Sequence, residues 1–493
     1  MVITPVHYIV APLLAAFAIP LLSKIYKDAA RVVPGIVLFY NMIISFVLMR
    51  QVLKHGMINE IIAGWQPPWG INLVLTPFTG FLAAMVSVMG FIIWLYGFRF
   101  KRTLKGGVVK YYEILQMMMI AGSIGVIITG DLFNMFVFIE IVGITAYSLT
   151  AFYRDRNGAE AGFKYLLLGS LASVFLLLAI LLIYTQTGTL NMAQIAERMP
   201  EVSSGIKITA LIFFLIALGI EAEMFPLNGW TPDAYEQAPS PTSATFAAVV
   251  SIAGIYALVR VLFTLFDVSG VHQYLIVMGF ITMLVAEIAA ISQKNLKRML
   301  AYSSIGQVGL VLIAFGIGSQ LAVFGALFLM LNHAVIKSLL FMTGSYFIYN
   351  SGEKRLEGLN GMHKRLPYVS ALFSLAAFAI IGFPPFSGFW SKFYILIAAS
   401  DQKMIFLIIG ILLVTIIELV YYLRLVGRIY FAKEEMQDIA HKPSVNALVA
   451  MSFLALFIIL IGIYPDIITG YINQAAAALL DKTHYIQQIL ANK

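Results

Sequence analysis

Fourteen apolar runs, each close to the length of a membrane-spanning helix, follow one another along this chain. A bilayer core about 30 Å thick needs about 20 apolar residues in a helix to cross it. Strand-length alternating segments are missing from these runs, which argues against a β-barrel. We therefore predict an all-α polytopic membrane protein with spans at about 7–23, 32–53, 78–98, 111–129, 131–152, 164–185, 206–228, 241–266, 271–292, 299–318, 321–349, 369–390, 404–430 and 445–469.

The net charge of +8 is distributed unevenly between the two sets of loops that connect these spans. The set that includes Lys24, Lys101 and Lys297 carries most of the loop cations. By the positive-inside rule this set of loops lies on the inner side of a cell membrane, and both termini then lie on the outer side. The excess of basic over acidic residues is therefore explained by membrane topology and indicates no nucleic-acid partner. The first span lacks a basic n-region and a small-residue cleavage site, so we expect it to be retained.

Ionisable side chains interrupt several of the apolar spans. A charge at the bilayer centre costs roughly 2.5–3.5 kcal/mol on insertion scales, so such residues normally face a bundle interior or a water-filled path. A whole series of them indicates an ion or proton path rather than a passive anchor. The cations are Lys164, Arg260, Lys337, Lys392 and Arg424, and the acids are Glu140, Glu221, Glu223, Glu287 and Glu418.

Two spans carry interruptions rich in proline and glycine, at 224–232 in the seventh and at 382–388 in the twelfth. Proline removes a helix hydrogen bond, and backbone freed at membrane depth is tolerated only beside protein or a water cavity. The two spans are five apart, an odd offset that reverses orientation. We predict discontinuous helices in two inverted five-helix repeats, spans 4–8 and 9–13. The alternative is that both helices simply end at loops.

This division gives four segments: 1–110 with the first three helices, 111–266 and 267–430 with the two repeats, and 431–493 with the last helix and a tail. The turn-rich stretch within 54–77 is expected at the outer membrane interface. The tail after 469 is either a short interfacial helix or a solvated end. The interfacial alternative rests on an apolar face made of Ile472, Ala476, Leu479 and Leu480.

The spacing and surroundings of some ionisable residues suggest roles. A carboxyl such as Glu140, among bulky apolar side chains, can take up and release protons when a cation is near. Lys164, at the start of the sixth span, either reaches to the surface or pairs with Glu140. His333 and Lys337 are four residues apart and share a helix face, so they look like successive relay positions.

Charges near the second interruption, and the remaining intramembrane groups, are assigned as follows. Lys392 follows this interruption, and Glu418, one helix further on, is its expected counter-ion. For Glu287 an interhelical structural bond is the preferred interpretation. Arginine does not deprotonate in proteins, so Arg260 and Arg424 can position or polarise but cannot relay protons.

Several stretches resemble the antiporter-like subunits shared by respiratory complex I, Mrp-type multisubunit cation/proton antiporters and membrane-bound hydrogenases. The similarity in order and spacing covers about 110–395, and the chain is most similar to the D-type branch of the Mrp subunits. The resemblance implies roles for Glu140, Lys164, His333, Lys337 and Lys392 in a proton path, with Glu223, Asp233 and Glu418 as secondary candidates. The stretches are 131–140, 225–241, 293–304, 332–337 and 382–389.

Three positions depart from the pattern of this family. Glu221 stands where the seventh helix usually carries lysine, Ile252 where the eighth helix often does, and Asn295 where aspartate is expected. Two carboxylates in low dielectric do not both ionise easily. Glu140 and Glu221, if they approach each other, would therefore share a proton or bind a cation such as Na⁺.

These observations predict a subunit that moves protons, and in one version Na⁺, through a membrane complex powered by partner subunits. The absence of cysteine excludes iron–sulfur ligation within this chain, so redox centres would belong to the partners. The complex is either a redox-linked relative of complex I or hydrogenase, or an Mrp antiporter. The alternatives are a structural subunit with a silenced path and a stand-alone cation/proton antiporter.

Overall fold

A computed structural model describes residues 3–104, 107–266, 269–432 and 442–491 as a bundle of helices with one β-hairpin. The α-helices are α1 His7–Ile25, α2 Ala29–His55, α3 Pro77–Tyr96, α4 Phe98–Thr103, α5 Val108–Ile128, α6 Leu132–Thr150, α7 Arg156–Thr187, α8 Met192–Arg198, α9 Ser204–Glu221, α10 Thr231–Gln237, α11 Ser240–Thr245, α12 Ser251–Leu265, α13 Ser269–Ile291, α14 Leu296–Ile317, α15 Gln320–Ser351, α16 Met362–Arg365, α17 Pro367–Ile381, α18 Ser387–Asp401, α19 Ile405–Phe431, α20 Val445–Ile463, α21 Asp466–Leu480 and α22 Lys482–Leu490. Short 3₁₀ turns lie at Ile62–Gly64, Met199–Glu201 and Leu356–Leu359.

Thirteen helices in the described part of the chain, counting α11–α12 as one, are long and apolar enough to cross a membrane. The pair α17–α18 supplies the remaining span, which confirms the fourteen-span prediction. Two predicted boundaries are wrong. The twelfth span continues to Asp401 instead of stopping near 390, because α18 carries Ser391 and Lys392 inside an otherwise apolar helix. The fourteenth ends at Ile463 and is followed by a separate helix.

Both predicted interruptions break their helices, and neither span simply ends at a loop. Helix α9 stops at Glu221, and the chain resumes a helix at Thr231. Helix α17 stops at Ile381, where Gly382 adopts a φ of 97°, and α18 begins at Ser387. The breaks occur in the seventh and twelfth spans, as expected for discontinuous helices. The assignment of 111–266 and 267–430 to two inverted repeats stays a prediction.

One irregularity was not expected from the sequence. The eighth span starts as α11, widens into a π-helical turn at Phe246–Val250 and continues as α12. Single π-turns inside α-helices are often located at functional sites.

The centre of the bundle is formed by the eighth, tenth and eleventh spans, because the apolar stretches of α11–α12 and α15 are buried throughout and that of α14 almost throughout. A helix that is apolar on all sides belongs in the interior. Helices α7 and α19 instead expose large side chains such as Leu171 and Leu413, at 44% and 59%, toward the expected lipid. The polar residues on the three central helices therefore lie deep in protein.

Helix starts follow from capping side chains. Asp131 accepts the Asn134 backbone N–H at 2.8 Å and begins α6. Asn295 accepts the Lys297 N–H at 3.0 Å and begins α14. Asparagine therefore serves as the cap at the position where the family resemblance implied aspartate.

A hairpin and the chain's last two helices cover one end of the bundle, which we call the outer end after the predicted topology. Strands β1 Ile58–Ile61 and β2 Asn72–Leu75 pair antiparallel, with Ile58 opposite Leu75. The Asn72 side chain accepts from Asn191, the cap of α8. The opposite end, with the α3–α5 and α13–α14 connections, is called the inner end.

The tail is helical and packs on the bundle, so it is not a solvated end. Its apolar face contacts protein and not lipid. Ile472, Ala476 and Leu479 are buried, whereas Leu480 is 37% exposed. Helix α21 packs against α3 and α15, and α22 packs against α8. The apolar face therefore covers protein, and residues 492–493 of the predicted tail lie outside the described part.

Candidate functional site

Lys337 lies in the middle of α15, with its side chain completely buried. Its Nζ donates to Ser303 Oγ at 2.6 Å, to the Tyr422 hydroxyl at 3.2 Å and to the Leu300 carbonyl at 3.3 Å. Ser303 Oγ and the Tyr422 hydroxyl lie 3.0 Å apart. The ammonium thus has three oxygen acceptors from α14 and α19, which offset the cost of burying its charge.

Lys392 and Glu418 form a buried ion pair with an Nζ–Oε2 distance of 2.6 Å, which confirms the predicted counter-ion. Lys392 Nζ also donates to the Ile381 carbonyl at 3.1 Å. Ile381 is the last residue of α17, so the helix break supplies this acceptor. The other Glu418 oxygen accepts from Gln307 Nε2 at 2.8 Å. The break, the ion pair and α14 therefore form one connected polar site.

Two adjacent tyrosines on α19, which the sequence analysis did not single out, link the acids to Lys337. The Tyr421 hydroxyl donates to Glu287 Oε2 at 2.8 Å, which confirms the expected interhelical bond. The Tyr421 and Tyr422 rings have centroids 4.7 Å apart. Their positions three and four residues after Glu418 place them on its helix face, a spacing signal that was available in the sequence. Helices α13, α14, α15, α18 and α19 thus share one cluster.

His333 lies one helical turn before Lys337 and is 2% exposed. Neither ring nitrogen has a hydrogen-bond partner among the described residues. An unsatisfied buried polar group costs about 1–3 kcal/mol, so these nitrogens are suited to bind water. The neighbouring Asn332 donates to the Ser387 carbonyl at 3.0 Å and to Ser391 Oγ at 3.1 Å. The turn of α15 that carries Asn332 and His333 is therefore held against the start of α18.

The segment 111–266, the predicted first repeat, carries Glu140 and Glu221 within its apolar spans. Glu140 on α6 is partly buried and accepts a hydrogen bond from the Ser173 hydroxyl on α7. Glu221 is 8% exposed and is the last residue of α9. Helix α12 approaches it so closely that a Cβ added at Gly254 would lie 2.2 Å from the Glu221 carbonyl oxygen. The end of helix α9 thus packs tightly against the eighth span.

Glu223 lies within the break and is completely buried. Its φ of 58° takes it out of helical geometry, so the helical spacing that would separate it from Glu221 does not apply. Its Oε1 accepts from the Tyr235 hydroxyl at 2.9 Å, and Oε2 has no hydrogen-bond partner within the described segments. Ile252, at the position of an expected lysine, is also fully buried.

Lys164 does not form the pair with Glu140 that one of the two predictions for this residue proposed. Its Nζ lies 2.7 Å from Glu160 and 3.0 Å from Asp233, and its side chain is 47% exposed. The pairing prediction is wrong because Lys164, at the start of α7, reaches the inner surface, whereas Glu140 lies opposite Ser173 further along that helix. The surface alternative is the one observed.

Asp233 connects two spans at the inner end. It pairs with Lys164 of the sixth span and with Arg298 of the tenth, and Arg298 also contacts Glu236 at 3.2 Å. Burial raises the pKa of Asp233, but the hydrogen bonds and charges of the two cations lower it more, so the net pKa is below its ordinary value. The Asp233 carboxylate therefore stabilises the contact of its own segment with the sixth and tenth spans.

Substitution of Asp233 by Asn is expected to lower the stability of the assembled protein by about 1 kcal/mol at neutral pH, a small value because the pairs are partly exposed. The folded pKa lies below the unfolded value of about 3.9. The stabilisation is therefore complete above that pH and disappears as the pH falls through the folded pKa. Thermal unfolding of the purified complex should show a wild-type advantage that is constant from about pH 8 to pH 5 and narrows below about pH 4.

Glu160→Gln is the matched control, because Glu160 is 58% exposed and contacts only one of the two cations. An Asp233→Asn protein as stable as the wild type at pH 7, or an advantage that grows on acidification, would contradict the assignment.

Two intramembrane arginines differ in burial. Arg424 on α19 is exposed on the bundle surface, so the expectation that intramembrane charges face the interior is wrong here. Its long side chain can extend along the helix toward polar surroundings. Arg260 is 3% exposed, and its guanidinium lies 3.8 Å from the centroid of the Tyr485 ring on α22.

Two cations assigned to loops are buried. Lys297 is 7% exposed and donates to the Ala238 carbonyl at 2.6 Å. Lys101 is 1% exposed and pairs with Glu113, an acid that the sequence analysis did not select. Hydropathy places a residue near a span end but does not show whether a neighbouring element covers it. Across the described ranges, no group of three or more His, Asp or Glu side chains able to hold a metal ion is found.

Known proteins match this chain over most of its length. The family model described as "NADH:quinone oxidoreductase/Mrp antiporter, TM" matches residues 129–418. The N subunit of the NADH-quinone oxidoreductase of Desulforudis audaxviator is 34% identical over 435 residues, with 86% of each chain covered. The D subunit of the Na(+)/H(+) antiporter of Alkalihalophilus pseudofirmus is 28% identical over 492 residues, with 98% of this chain and 99% of the relative covered.

Solved structures agree with this relationship. A chain of the membrane-bound sulfane sulfur reductase, an archaeal respiratory membrane complex, is 35% identical and superposes with a TM-score of 0.93 over 99% of this chain and 100% of its own. A chain of the Mrp complex from Dietzia sp. DQ12-45-1b shares the fold at 24% identity, with a TM-score of 0.90 and 98% of each chain covered. The protein therefore belongs to the antiporter-like transmembrane family shared by NADH:quinone oxidoreductases and Mrp antiporters.

Proposed function

We propose that this chain is a proton-translocating subunit of a multisubunit membrane complex and that partner subunits supply the driving energy. The observation that carries the proposal is the buried cluster in which Lys337, Ser303 and Tyr422 lie beside the Lys392–Glu418 pair. Lysine can release a proton when it is buried, and the surrounding hydroxyls can accept and pass one on. Family membership supports the same conclusion, since relatives are named as oxidoreductase and antiporter subunits.

The cluster suggests a sequence of proton movements. Lys337 holds a proton while its three oxygen acceptors stabilise the ammonium. If the Lys392–Glu418 pair separates, Glu418 becomes an uncompensated negative charge that attracts the Lys337 proton. Ser303 and Tyr422 can carry that proton because each hydroxyl accepts one proton and releases another. His333 would connect Lys337 to a path along α15.

The first repeat would use carboxylates instead of a lysine. Helix α7 packs against both α6, which carries Glu140, and α9, which ends at Glu221. Two such groups at low dielectric favour a shared proton or a bound monovalent cation. We propose that this pair gives the protein a site that accepts H⁺ or Na⁺.

Variants of Glu221 test the ion specificity of this site. Glu221→Lys restores the residue type usual in the family and is expected to remove any Na⁺ dependence, because a fixed cation repels Na⁺. Glu221→Gln should raise the Na⁺ concentration needed for half-maximal pumping at least several-fold. The readout is the Na⁺ dependence of proton movement in proteoliposomes that contain the purified complex.

Glu201→Gln is a suitable control, since Glu201 is exposed in the turn after α8. Unchanged ion dependence in both Glu221 variants would eliminate the Na⁺ proposal and leave proton translocation standing.

The partners are proposed to be other membrane subunits, with redox centres outside this chain, either in a redox-linked complex or in an Mrp antiporter. The 35% identical chain of an archaeal respiratory complex supports the redox-linked alternative. Purification from native membranes separates the possibilities. Co-purification with iron–sulfur or nickel–iron subunits supports a redox complex, whereas a single monodisperse chain that exchanges Na⁺ for H⁺ supports a stand-alone antiporter. A silenced structural subunit predicts no loss of pumping when Lys337 is replaced.

We propose a cell-membrane location with both termini outside. Because the chain has no cysteine, single cysteines can be introduced at exposed positions without background. Gln66→Cys should react with an impermeant maleimide in whole cells, and Thr103→Cys only after the membrane is opened. The reverse labelling pattern would show that both termini lie on the inner side and would contradict the proposed orientation.

A further inference from the structure

A buried ion pair outside the central cluster lies at the inner end of the third and fourth spans. Lys101 on α4 and Glu113 on α5 have an Nζ–Oε1 distance of 2.8 Å, and their side chains are 1% and 2% exposed. Lys101 Nζ also donates to the Trp94 carbonyl at 3.2 Å and lies 4.5 Å from the centroid of the Trp94 ring. The proposed central path uses none of these residues.

Such a pair is expensive as a purely structural element. Removing two charges from water costs several kcal/mol for each ion, and their attraction often fails to offset that cost. Burial lowers the pKa of Lys101 below its usual range, although the adjacent Glu113 raises it in part. Perturbed, buried ionisable groups occur more often at functional sites than elsewhere, and this pair has the burial and charge that such a site requires.

A hydrogen-bonded chain begins one helical turn along α5 from the pair and leads into the bundle. Gln116, three residues after Glu113 and therefore on the same helix face, donates to the Tyr112 hydroxyl and to Thr242 Oγ1, both at 2.9 Å. The Tyr112 hydroxyl and Thr242 Oγ1 are 3.2 Å apart. Thr245 Oγ1 donates to Gln116 Oε1 at 3.4 Å. Helix α5 is thereby connected to the start of the eighth span by polar side chains.

Two cavities give this chain of hydrogen bonds room for water. A small cavity of about 20 Å³ is lined by the ion pair, Gln116 and Thr245. About 10–15 Å³ suffices for one water when polar partners are present. A cleft of about 130 Å³ shares Pro241 with it and is lined by Thr103 and Tyr349, both exposed at the inner end. The pair thus lines a site that can hold one water, and Pro241 separates this site from a cleft open at the inner end.

The hydrogen-bonded chain ends at Thr245, and the next polar side chain along the eighth span toward Glu223 is Ser251. Thr245 is the last residue before the π-turn, and Ser251 follows that turn. At 1.5 Å per residue the two are about 9 Å apart along the helix. The Ser251 hydroxyl lies beside Glu223 without completing a hydrogen bond to it. The π-turn, made of buried apolar residues, therefore separates two polar segments, and proton transfer between them requires water to enter this stretch.

We propose that Lys101 and Glu113 form the proton-uptake site of the first repeat and deliver protons past Gln116, Thr242 and Thr245 to Glu223. This inference rests on the proposed function. Glu113 takes a proton from a hydronium ion in the cleft, leaving water. Its carboxyl oxygen then gives a proton to the cavity water, which passes one on, so that each carrier gains one proton and loses one. Gln116 is a positioning residue, since its amide holds the two hydroxyls in place.

The test uses the purified complex in proteoliposomes, with proton uptake measured from the side of the inner end. Glu113→Gln keeps the side-chain shape and should slow uptake about 10-fold or more. Gln116→Leu should slow uptake and increase its solvent deuterium isotope effect, because proton transfer then limits the rate. The neighbouring exposed cation gives the control Arg102→Gln, which should behave as wild type.

Chemical rescue distinguishes proton transfer from a structural role. In Glu113→Ala the space left by the side chain can admit a small acid. Formate, which titrates, should restore uptake at least several-fold, whereas nitrate, a planar anion of similar size that does not titrate, should not. Equal restoration by both anions, or slow uptake with an unchanged isotope effect in Gln116→Leu, would show a structural ion pair and overturn the proposal.

A parallel Lys337→Gln variant separates this inference from the function on which it rests. Wild-type uptake in Glu113→Gln together with a block in Lys337→Gln would refute the uptake site alone. Wild-type uptake in both variants would refute proton translocation by this chain as well.

Discussion

Replacement of Lys337 by Gln is expected to reduce proton translocation by the assembled complex about 100-fold or more, within the range found when a positioned proton-transfer group is removed. Glutamine retains a donor for Ser303 and Tyr422, so the cluster should keep its packing. It cannot, however, hold and release a proton at neutral pH. The measurement is the quenching of a pH-sensitive acridine dye in proteoliposomes while the driving reaction proceeds.

A second substitution at the same position separates charge from proton release. Lys337→Arg keeps the positive charge beside the same acceptors, yet arginine does not deprotonate in proteins, so this variant should also be blocked. Lys364→Gln, an exposed cation at the inner end, controls for the loss of one lysine. Normal translocation by Lys337→Arg would mean that Lys337 acts only through its charge.

Replacement of Glu418 by Ala is expected to have the largest effect on stability, about 3–5 kcal/mol, because breaking a buried ion pair leaves its partner charged and unpaired. Lys392 would keep only the Ile381 carbonyl, and Gln307 would lose its acceptor. The free energy of unfolding of the purified complex, from denaturant or thermal unfolding, gives the measurement. Translocation should be lost as well.

The double variant Lys392→Met with Glu418→Leu separates the loss of stability from the loss of proton translocation. Apolar residues of similar volume often replace a buried pair at no cost or with a gain in stability. The double variant should therefore recover most of the stability lost in Glu418→Ala and still fail to translocate protons. If it pumps normally, the pair is structural and the role assigned to it is wrong.

The parts of this fold that the sequence predicted depend on local pattern. Membrane-length apolar runs gave the spans, and proline with glycine marked the breaks after Glu221 and Ile381, because helix continuity is a property of neighbouring residues. The Lys392–Glu418 pair was also predictable. Two opposite charges on adjacent apolar helices have few other partners, and water is excluded from their surroundings.

Other features depend on long-range packing and were not predictable in this way. Lys164 and Glu140 lie on consecutive spans, yet they meet only if they lie at the same depth in the membrane. The predicted ends of the spans are uncertain by several residues, so the sequence does not determine the depth of either residue. Lys101 was assigned to a loop because its burial is produced by Trp94 and Glu113 from other turns of the chain. The contact of Tyr485 with Arg260 joins residues more than 200 positions apart.

A structure of the assembled complex at a resolution that locates ordered water tests the central claim most directly. Our account predicts waters hydrogen-bonded to both ring nitrogens of His333 and a continuous polar link from there through Lys337 and Tyr422 to Lys392. It would be contradicted if His333 and Lys337 were enclosed by apolar side chains, with no water or polar group between them and the Lys392–Glu418 pair.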